Sequence, residues 1–176
     1  MKIMGLDCSS TSSGWCCFDG DKLVDYGCIK VKGEWNDRIM AQVPSLVKAI
    51  KKHHPDKIIM EDVPLKKSGG MKTLVILGAV HGMVLTVASS LNIPIEFISP
   101  SAWRSIVGLF NGTKEGKERD MLKKHSIEKA NELFGLELLW VSPNSSKNED
   151  DVSDSILVAY SQIKQKNRCL SKSKSQ

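Results

Sequence analysis

The chain has 176 residues, of which 41% are hydrophobic. This length suits one domain with a full-sized core and leaves no room for a second one. Five basic residues after residue 163 account for the whole formal net charge of +5, so charge alone does not indicate nucleic-acid binding. We predict a domain over residues 1–163 and a basic, disordered tail over residues 164–176. Such a tail can contact phosphates weakly or serve only as a solubilising terminus.

The sequence shows neither an export signal nor a typical membrane helix. Asp7 falls where the apolar stretch of a signal peptide would run. The longest apolar run, over residues 73–91, is interrupted by Gly78, His81 and Gly82. A membrane helix of about 20 residues rarely tolerates that pattern. We therefore expect a cytoplasmic protein with no membrane partner.

The first half of the chain predicts strands joined by tight turns and then an alternation of helices and strands. Strands are expected over residues 2–7, 14–18, 23–31, 57–60 and 93–98, and helices over residues 36–53 and 73–91. Pro44 predicts a kink or a late start in the first helix. The second helix, being apolar, is expected to be mostly buried.

The second half predicts mainly helices. They are expected over residues 102–107, 117–134 and 149–165, with a loop rich in glycine and charge over residues 108–116. Antiparallel strands followed by a strand-helix-strand alternation favour an α/β fold with a mixed sheet and helices on both faces.

Two predicted strands end on acidic residues. Asp7 ends the first strand and Glu61 follows the fourth. If these strands are parallel neighbours, both acids lie at the same edge of the sheet, where ligand sites of such sheets form.

Two more acids stand at the start of the last predicted helix. Asp151 and Asp154 are three residues apart, so they share one helical face. Acids at a helix start are often only caps that favour the helix dipole. Asp154 lies beyond the cap position, which weakens that interpretation.

Four carboxylates gathered at one place would repel each other unless cations were present. Mg²⁺ prefers hard oxygen ligands and needs few of them from the protein. Two such ions about 4 Å apart can activate water and stabilise a leaving oxygen during phosphodiester hydrolysis. The pattern thus predicts a metal site formed by Asp7, Glu61, Asp151 and Asp154.

These segments, in this order, resemble the motifs of the RuvC-type Holliday-junction resolvases. The matching segments are residues 3–7 with Ser9 and Gly14, residues 61–63, Leu77 and Gly78 with Gly82, residues 103–108 with Lys117, and residues 151–159. The resemblance implies a ribonuclease-H-like fold, a homodimer, Mg²⁺ or Mn²⁺ as cofactor, and paired nicks across a four-way DNA junction. It implies Asp7, Glu61, Asp151 and Asp154 as catalytic metal ligands. It also implies that Lys117, or alternatively Lys114, steadies the scissile phosphate.

The chain departs from the family at two places. Cys8, Ser9 and Ser10 stand where glycine usually follows the first acid, and Pro64 and Leu65 replace an aromatic residue that stacks near the junction. In this the chain is more similar to phage-borne members, which would place it in a host cytoplasm. With Lys66 and Lys67 following, we expect branched DNA, including three-way junctions, as substrate with loose sequence preference.

The first motif also resembles the phosphate loop of the actin and sugar-kinase ATPases. Serine hydroxyls and turn amides over residues 5–14 could cradle a phosphate. Those proteins close a second, similar domain over the nucleotide, which this chain is too short to contain. An ATP- or phosphate-binding protein therefore remains the alternative to a nuclease.

Overall fold

The computed structural model describes residues 1–63, 70–110, 118–143 and 145–173. Five strands and five helices occur in these residues. In chain order they are β1 (Lys2–Cys8), β2 (Ser12–Asp19), β3 (Lys22–Lys30), α1 (Trp35–His53), β4 (Lys57–Glu61), α2 (Met71–Ser90), β5 (Ile95–Ile98), α3 (Pro100–Val107), α4 (Arg119–Phe134) and α5 (Asp150–Ser173).

The strands form one mixed sheet in the order β3-β2-β1-β4-β5. β1 is antiparallel to β2 and parallel to β4, and β2 and β3 form an antiparallel pair. β5 extends the sheet parallel to β4. The predicted mixed sheet, with an antiparallel first part and a parallel second part, is confirmed.

Helices cover both faces of the sheet, because side chains along each strand alternate between two cores. On one face Ile3 and Phe18 pack with Ile127 of α4 and Ile156 of α5. On the other face the strands pack against α1 and α2, with side chains that include Met4, Leu6, Ile50 and Val84. The predicted packing of helices on both faces is therefore confirmed.

Two glycines allow α5 to lie directly on the sheet. A Cβ built at Gly5 would lie 2.1 Å from the carbonyl oxygen of Ser155 and 2.8 Å from the Cβ of Ala159. At Gly14 a Cβ would lie 1.9 Å from the carbonyl oxygen of Asp151. Only a residue without a side chain lets the helix backbone approach β1 and β2 so closely.

The prediction that the second helix is mostly buried is wrong. Only Val80, Val84, Val87 and Ala88 of α2 are buried. By length and composition alone α2 could cross a membrane, with a mean hydropathy of 1.7 over 18 residues and 22% of that window buried. Within this chain α2 packs against the core through one face only. The hydrophobicity of a helix shows that it favours burial but does not show which surface buries it. That no membrane is involved stays a prediction.

Two helix boundaries also differ from expectation. α1 begins at Trp35 and Pro44 lies inside it, so the predicted late start is wrong. Pro44 is exposed, where water can satisfy the carbonyl that a proline leaves without a donor. α5 continues to Ser173, beyond its predicted end at residue 165. The division into a domain of residues 1–163 and a tail of residues 164–176 stays a prediction.

Candidate active site

The parallel pairing of β1 and β4 brings the first two predicted acids to one edge of the sheet. Leu6 lies opposite Met60 in the register, and Asp7 and Glu61 follow them directly. Leu6 and Met60 are fully buried, whereas the side chain of Glu61 is 17% exposed. The strands thus anchor the two carboxyl groups in the core while leaving them open to a small ligand.

The start of α5 brings the other two acids to the same edge. Burial raises the pKa of Asp7 well above its ordinary value, and the charges of Glu61, Asp154 and Asp151 raise it further. Arg104 acts in the opposite direction. Asp7 lies opposite Gly14 in the sheet, Gly14 packs against the backbone of Asp151, and Arg104 approaches both Glu61 and Asp154. These contacts bring the four acids to one edge of the sheet, although α5 follows β1 by more than 140 residues of sequence.

A tryptophan and an arginine from α3 bind to these acids. The indole Nε1 of Trp103 donates a hydrogen bond to Oε2 of Glu61 at 2.5 Å. Arg104 Nη2 lies 3.7 Å from the same oxygen and 3.4 Å from Oδ2 of Asp154. Burial raises the pKa of Glu61, and Arg104 and Trp103 oppose that rise. The motif containing both residues was visible in the sequence, but their contacts with the acids were not.

The guanidinium of Arg104 packs over the indole ring of its neighbour Trp103. Its Cζ lies 4.5 Å from the ring centre of Trp103, a cation–π arrangement. Its Nε is buried and donates to no described group. Arg104 therefore links Glu61 to Asp154 through one nitrogen, while its Nε remains a buried donor with no acceptor among the described groups.

Asp154 is the most enclosed of the four acids. Its side chain is 9% exposed, and burial followed by the charge of Glu61 raises its pKa to about 7. Arg104 and the hydroxyl of Ser126 in α4 oppose this rise. Ser126 was missed by the sequence analysis, because a serine within an amphipathic helix carries no local signal of its role.

Asp151 occupies the side of the site next to β2. Burial raises its pKa, and the Ser12 hydroxyl acts against that rise together with the more distant charges of Lys123 and Lys30. The charge of Asp150, the residue before Asp151, raises this pKa further, and Lys123 forms an ion pair with Asp150. The two lysines therefore only partly offset the negative charge beside Asp151.

Several predicted residues lie outside the described part of the chain. Lys117 and Lys114, the alternatives for the phosphate-steadying lysine, are among residues 111–117. Residues 64–67, the second place where the sequence departs from the expected family pattern, are likewise outside it. The roles expected of these residues stay predictions.

The donor set fits a hard divalent cation. Among residues 1–63, 70–110, 118–143 and 145–173, no three acidic, histidine or cysteine side chains converge as tightly as ligands around an ion. Nevertheless, Asp7, Glu61, Asp151 and Asp154 offer only carboxylate oxygens, and all four have raised pKa values. Burial disfavours the ionised forms of all four, and repulsion from other carboxylates of the site adds to this at Asp7 and Asp154. A bound cation relieves that condition.

Comparison with known proteins gives matches at the level of structure only. No family model and no curated protein matches the sequence. Thermus thermophilus RuvC in complex with a Holliday junction substrate superimposes with a TM-score of 0.71 at 14% identity, over 96% of each chain. The yeast mitochondrial Holliday junction resolvase gives a TM-score of 0.57 at 16% identity, over 94% of this chain and 79% of that one. The fowlpox virus resolvase in complex with junction DNA gives a TM-score of 0.54 at 17% identity, over 94% of this chain and 98% of that one.

This chain has the fold of the RuvC-type resolvases. The expected resemblance and the ribonuclease-H-like fold class are thereby confirmed. At identities of 14–17% the likeness shows the fold and not the chemistry. In this RuvC-type fold the four acids lie where β1, β4 and the start of α5 meet, so activity has to be argued from those side chains.

Proposed function

We propose that this chain is a divalent-metal-dependent endonuclease that nicks branched DNA, including four-way Holliday junctions. The observation that carries the proposal is the gathering of Asp7, Glu61, Asp151 and Asp154 at one edge of the sheet. Three solved structures with the same fold are described as RuvC or Holliday junction resolvases, and two of those are complexes with junction DNA. The proposal places the protein in the cytoplasm, or in a host cytoplasm if it is phage-borne.

The four carboxylates would hold Mg²⁺ or Mn²⁺. Such ions supply an activated water and neutralise charge on the leaving oxygen of a phosphodiester. Trp103 fixes the orientation of Glu61 through its indole hydrogen bond. Arg104 places a positive charge between Glu61 and Asp154 and can steady a phosphate that approaches this edge. Lys117, or alternatively Lys114, would contact the scissile phosphate from the segment before α4.

A cleavage assay tests the proposal directly. A labelled four-way junction, a three-way junction and a linear duplex of matching sequence are incubated with the protein, with and without Mg²⁺. We expect Mg²⁺-dependent nicks in the branched substrates and little cutting of the duplex. Asp7→Asn should bind the junction without cutting it. Failure of the wild-type protein to cut any branched DNA in Mg²⁺ or Mn²⁺, together with ATP binding, would support the phosphate-loop alternative instead.

We further propose that two copies of the chain pair through α2. Its buried side chains Val80, Val84 and Val87 lie on one side of the helix. Leu74, Gly78 and Leu85 follow each other on another side at helical spacing, and Leu74 and Leu85 are 37% and 43% exposed. A Cβ added at Gly78 would meet nothing within 4 Å, so a second helix has room to approach. Two strands of a junction require two sites, which a two-fold dimer supplies.

Charge placed on this surface should dissociate the dimer. Leu85 of this surface is 43% exposed, and Val24 of the edge strand β3 is 46% exposed. We expect Leu85→Glu to yield monomers in light scattering, while the matched control Val24→Glu stays dimeric. A wild-type protein that is monomeric at micromolar concentration would contradict the dimer without contradicting the nuclease.

Branch selectivity would follow from charge at the centre of the dimer. Pro64 and Leu65 stand in the sequence where cellular members carry a stacking aromatic residue, and Lys66 and Lys67 follow them. Lysine binds phosphate as a flexible point charge and does not read base edges. We therefore propose cutting of three-way and four-way junctions with loose sequence preference. Nicks confined to one short sequence in four-way junctions would contradict this part of the proposal.

A further inference from the structure

Asp154 is held from a second helix, α4, in addition to its own helix α5. Ser126 of α4 and Ser153 of α5 are both buried, at 1% and 0% exposure. The hydroxyl of Ser126 donates a hydrogen bond to Oδ1 of Asp154. An ionised carboxylate can only accept hydrogen bonds, so the direction of this bond is fixed whenever Asp154 carries its charge.

The two oxygens of Asp154 therefore face different partners. Oδ1 is bound by Ser126, whereas Oδ2 lies 3.4 Å from Nη2 of Arg104. Arg104 also approaches Glu61, which places Oδ2 on the side of the shared site. A carboxyl group gripped at one oxygen cannot rotate freely about its terminal bond, so the other oxygen keeps its direction.

Ser153 supports this arrangement from within α5. Its Oγ lies 3.2 Å from Oγ of Ser126 and 3.0 Å from the carbonyl oxygen of Asp150. A hydroxyl has one hydrogen and two lone pairs. The single hydrogen of Ser153 is therefore shared between the hydroxyl oxygen of Ser126 and the carbonyl oxygen of Asp150, while the only hydrogen of Ser126 remains directed at Asp154. The neighbours of Ser126 in α4, Ile127 and Ala130, are buried against the core and hold the helix in place.

We propose that Ser126 is a positioning residue that occupies Oδ1 of Asp154 and so presents Oδ2 alone to a divalent cation. This inference rests on the proposed metal-dependent function. Partners of metal ligands that act in this way typically change metal affinity by about 10–100-fold when removed. Asp154 would then bind the ion through one oxygen, and its geometry would be set by α4 rather than by α5 alone.

Metal binding by the DNA-free protein measures the effect without reference to cleavage. Mn²⁺ is titrated into each variant and the free ion is followed by electron paramagnetic resonance, with thermal unfolding recorded in parallel. Ser126→Ala should weaken Mn²⁺ binding about 10–100-fold. Ser126→Thr keeps the hydroxyl and should restore most of the affinity. Ser153→Ala leaves Ser126 in place and should give a smaller loss, which keeps the test decisive if Ser126→Ala folds poorly.

Ser161→Ala is the matched control. Ser161 is a buried serine of α5 whose hydroxyl donates to the carbonyl of Val158, three residues earlier. It should bind Mn²⁺ like the wild-type protein. The inference is overturned if Ser126→Ala and Ser153→Ala bind Mn²⁺ as tightly as wild type, or if Ser161→Ala loses as much affinity as they do. A wild-type protein that neither binds Mn²⁺ nor cuts branched DNA overturns the proposed function as well. Failure of the inference alone leaves Mn²⁺ binding and cleavage by the wild-type protein intact.

Discussion

Gly14 of β2 lies directly against the backbone of Asp151, because a Cβ built on Gly14 would lie only 1.9 Å from the carbonyl oxygen of Asp151. The contact joins a strand near the start of the chain to the first turn of α5. That turn carries Asp151, and Asp154 follows one turn later. The spacing between sheet and helix at Gly14 therefore decides whether the last two acids reach the first two.

Gly14→Ala should loosen the site by pushing α5 away from β2. Backbone cannot yield as a flexible side chain can, so we expect a loss of about 1–3 kcal/mol in the free energy of unfolding and weaker metal binding. Gly82→Ala is the control, because Gly82 is not one of the residues of the proposed pairing surface, a Cβ there meets nothing within 4 Å, and alanine favours a helix interior over glycine. Chemical denaturation of both variants checks the expectation, and equal stability of the two would contradict it.

Asp7→Asn should lower the cleavage rate by about a thousandfold or more, since several kcal/mol of transition-state stabilisation depend on a correctly held metal. The same variant should be more stable than wild type at pH 8 without added metal, because it removes a buried charge that three other acids repel. Single-turnover cleavage and thermal unfolding measure the two effects. Asp62→Asn, next to Glu61 but exposed, should change neither.

Removal of the cation at position 104 should shift the pH dependence of cleavage. Arg104 lowers the pKa of Glu61 and Asp154, so Arg104→Ala should raise both and move the acidic limb of the rate profile upward by about one pH unit. Arg104→Lys keeps the charge but loses the planar fork, so its limb should stay near that of wild type even if its rate is lower. An unchanged limb in Arg104→Ala would show that the guanidinium does not influence the acids.

Without added metal, the protein should lose stability as pH rises. The folded state raises the pKa of Asp154 from 3.8 to about 7 and that of Asp7 in the same direction. Folded chains therefore keep these protons where unfolded chains have released them. The resulting stabilisation is complete below pH 4 and is lost as pH rises through about 7. We expect a lower Tm at pH 8 than at pH 5, and a larger gain from Mg²⁺ at pH 8, where protons no longer compete.

The basic residues near the end of α5 should contribute to DNA affinity and not to chemistry. Lys166→Gln combined with Lys172→Gln should weaken junction binding and reduce the slope of log affinity against log salt by about one to two. Since α5 continues to Ser173, substitution tests charge without shortening the helix. Lys48→Gln with Lys51→Gln, both on α1, is the charge-matched control. Equal slopes for both pairs would leave the tail as a solubilising terminus.

Local patterns in the sequence predicted the sheet and the placement of the acids, because a strand that ends on an acid shows both features within a few residues. The exposed face of α2 could not be predicted, since hydrophobicity shows a preference for burial but not the partner. Trp103, Arg104 and Ser126 act on acids that are 42, 50 and 28 residues away, and no local pattern encodes such contacts. Their roles emerge only when α3 and α4 pack beside α5.

The position of α5 in the chain also affects when the site can exist. Asp7 and Glu61 belong to strands that are synthesised early, whereas Asp151 and Asp154 are synthesised with the helix that begins at Asp150. At roughly 5–20 residues per second, synthesis takes several seconds to proceed from β4 to α5. During that interval a nascent chain contains only two of the four acids of the site, and a fragment released before α5 is made would lack the other two. The proposed nuclease activity would therefore require synthesis as far as α5, and translation products that end before it would leave DNA uncut.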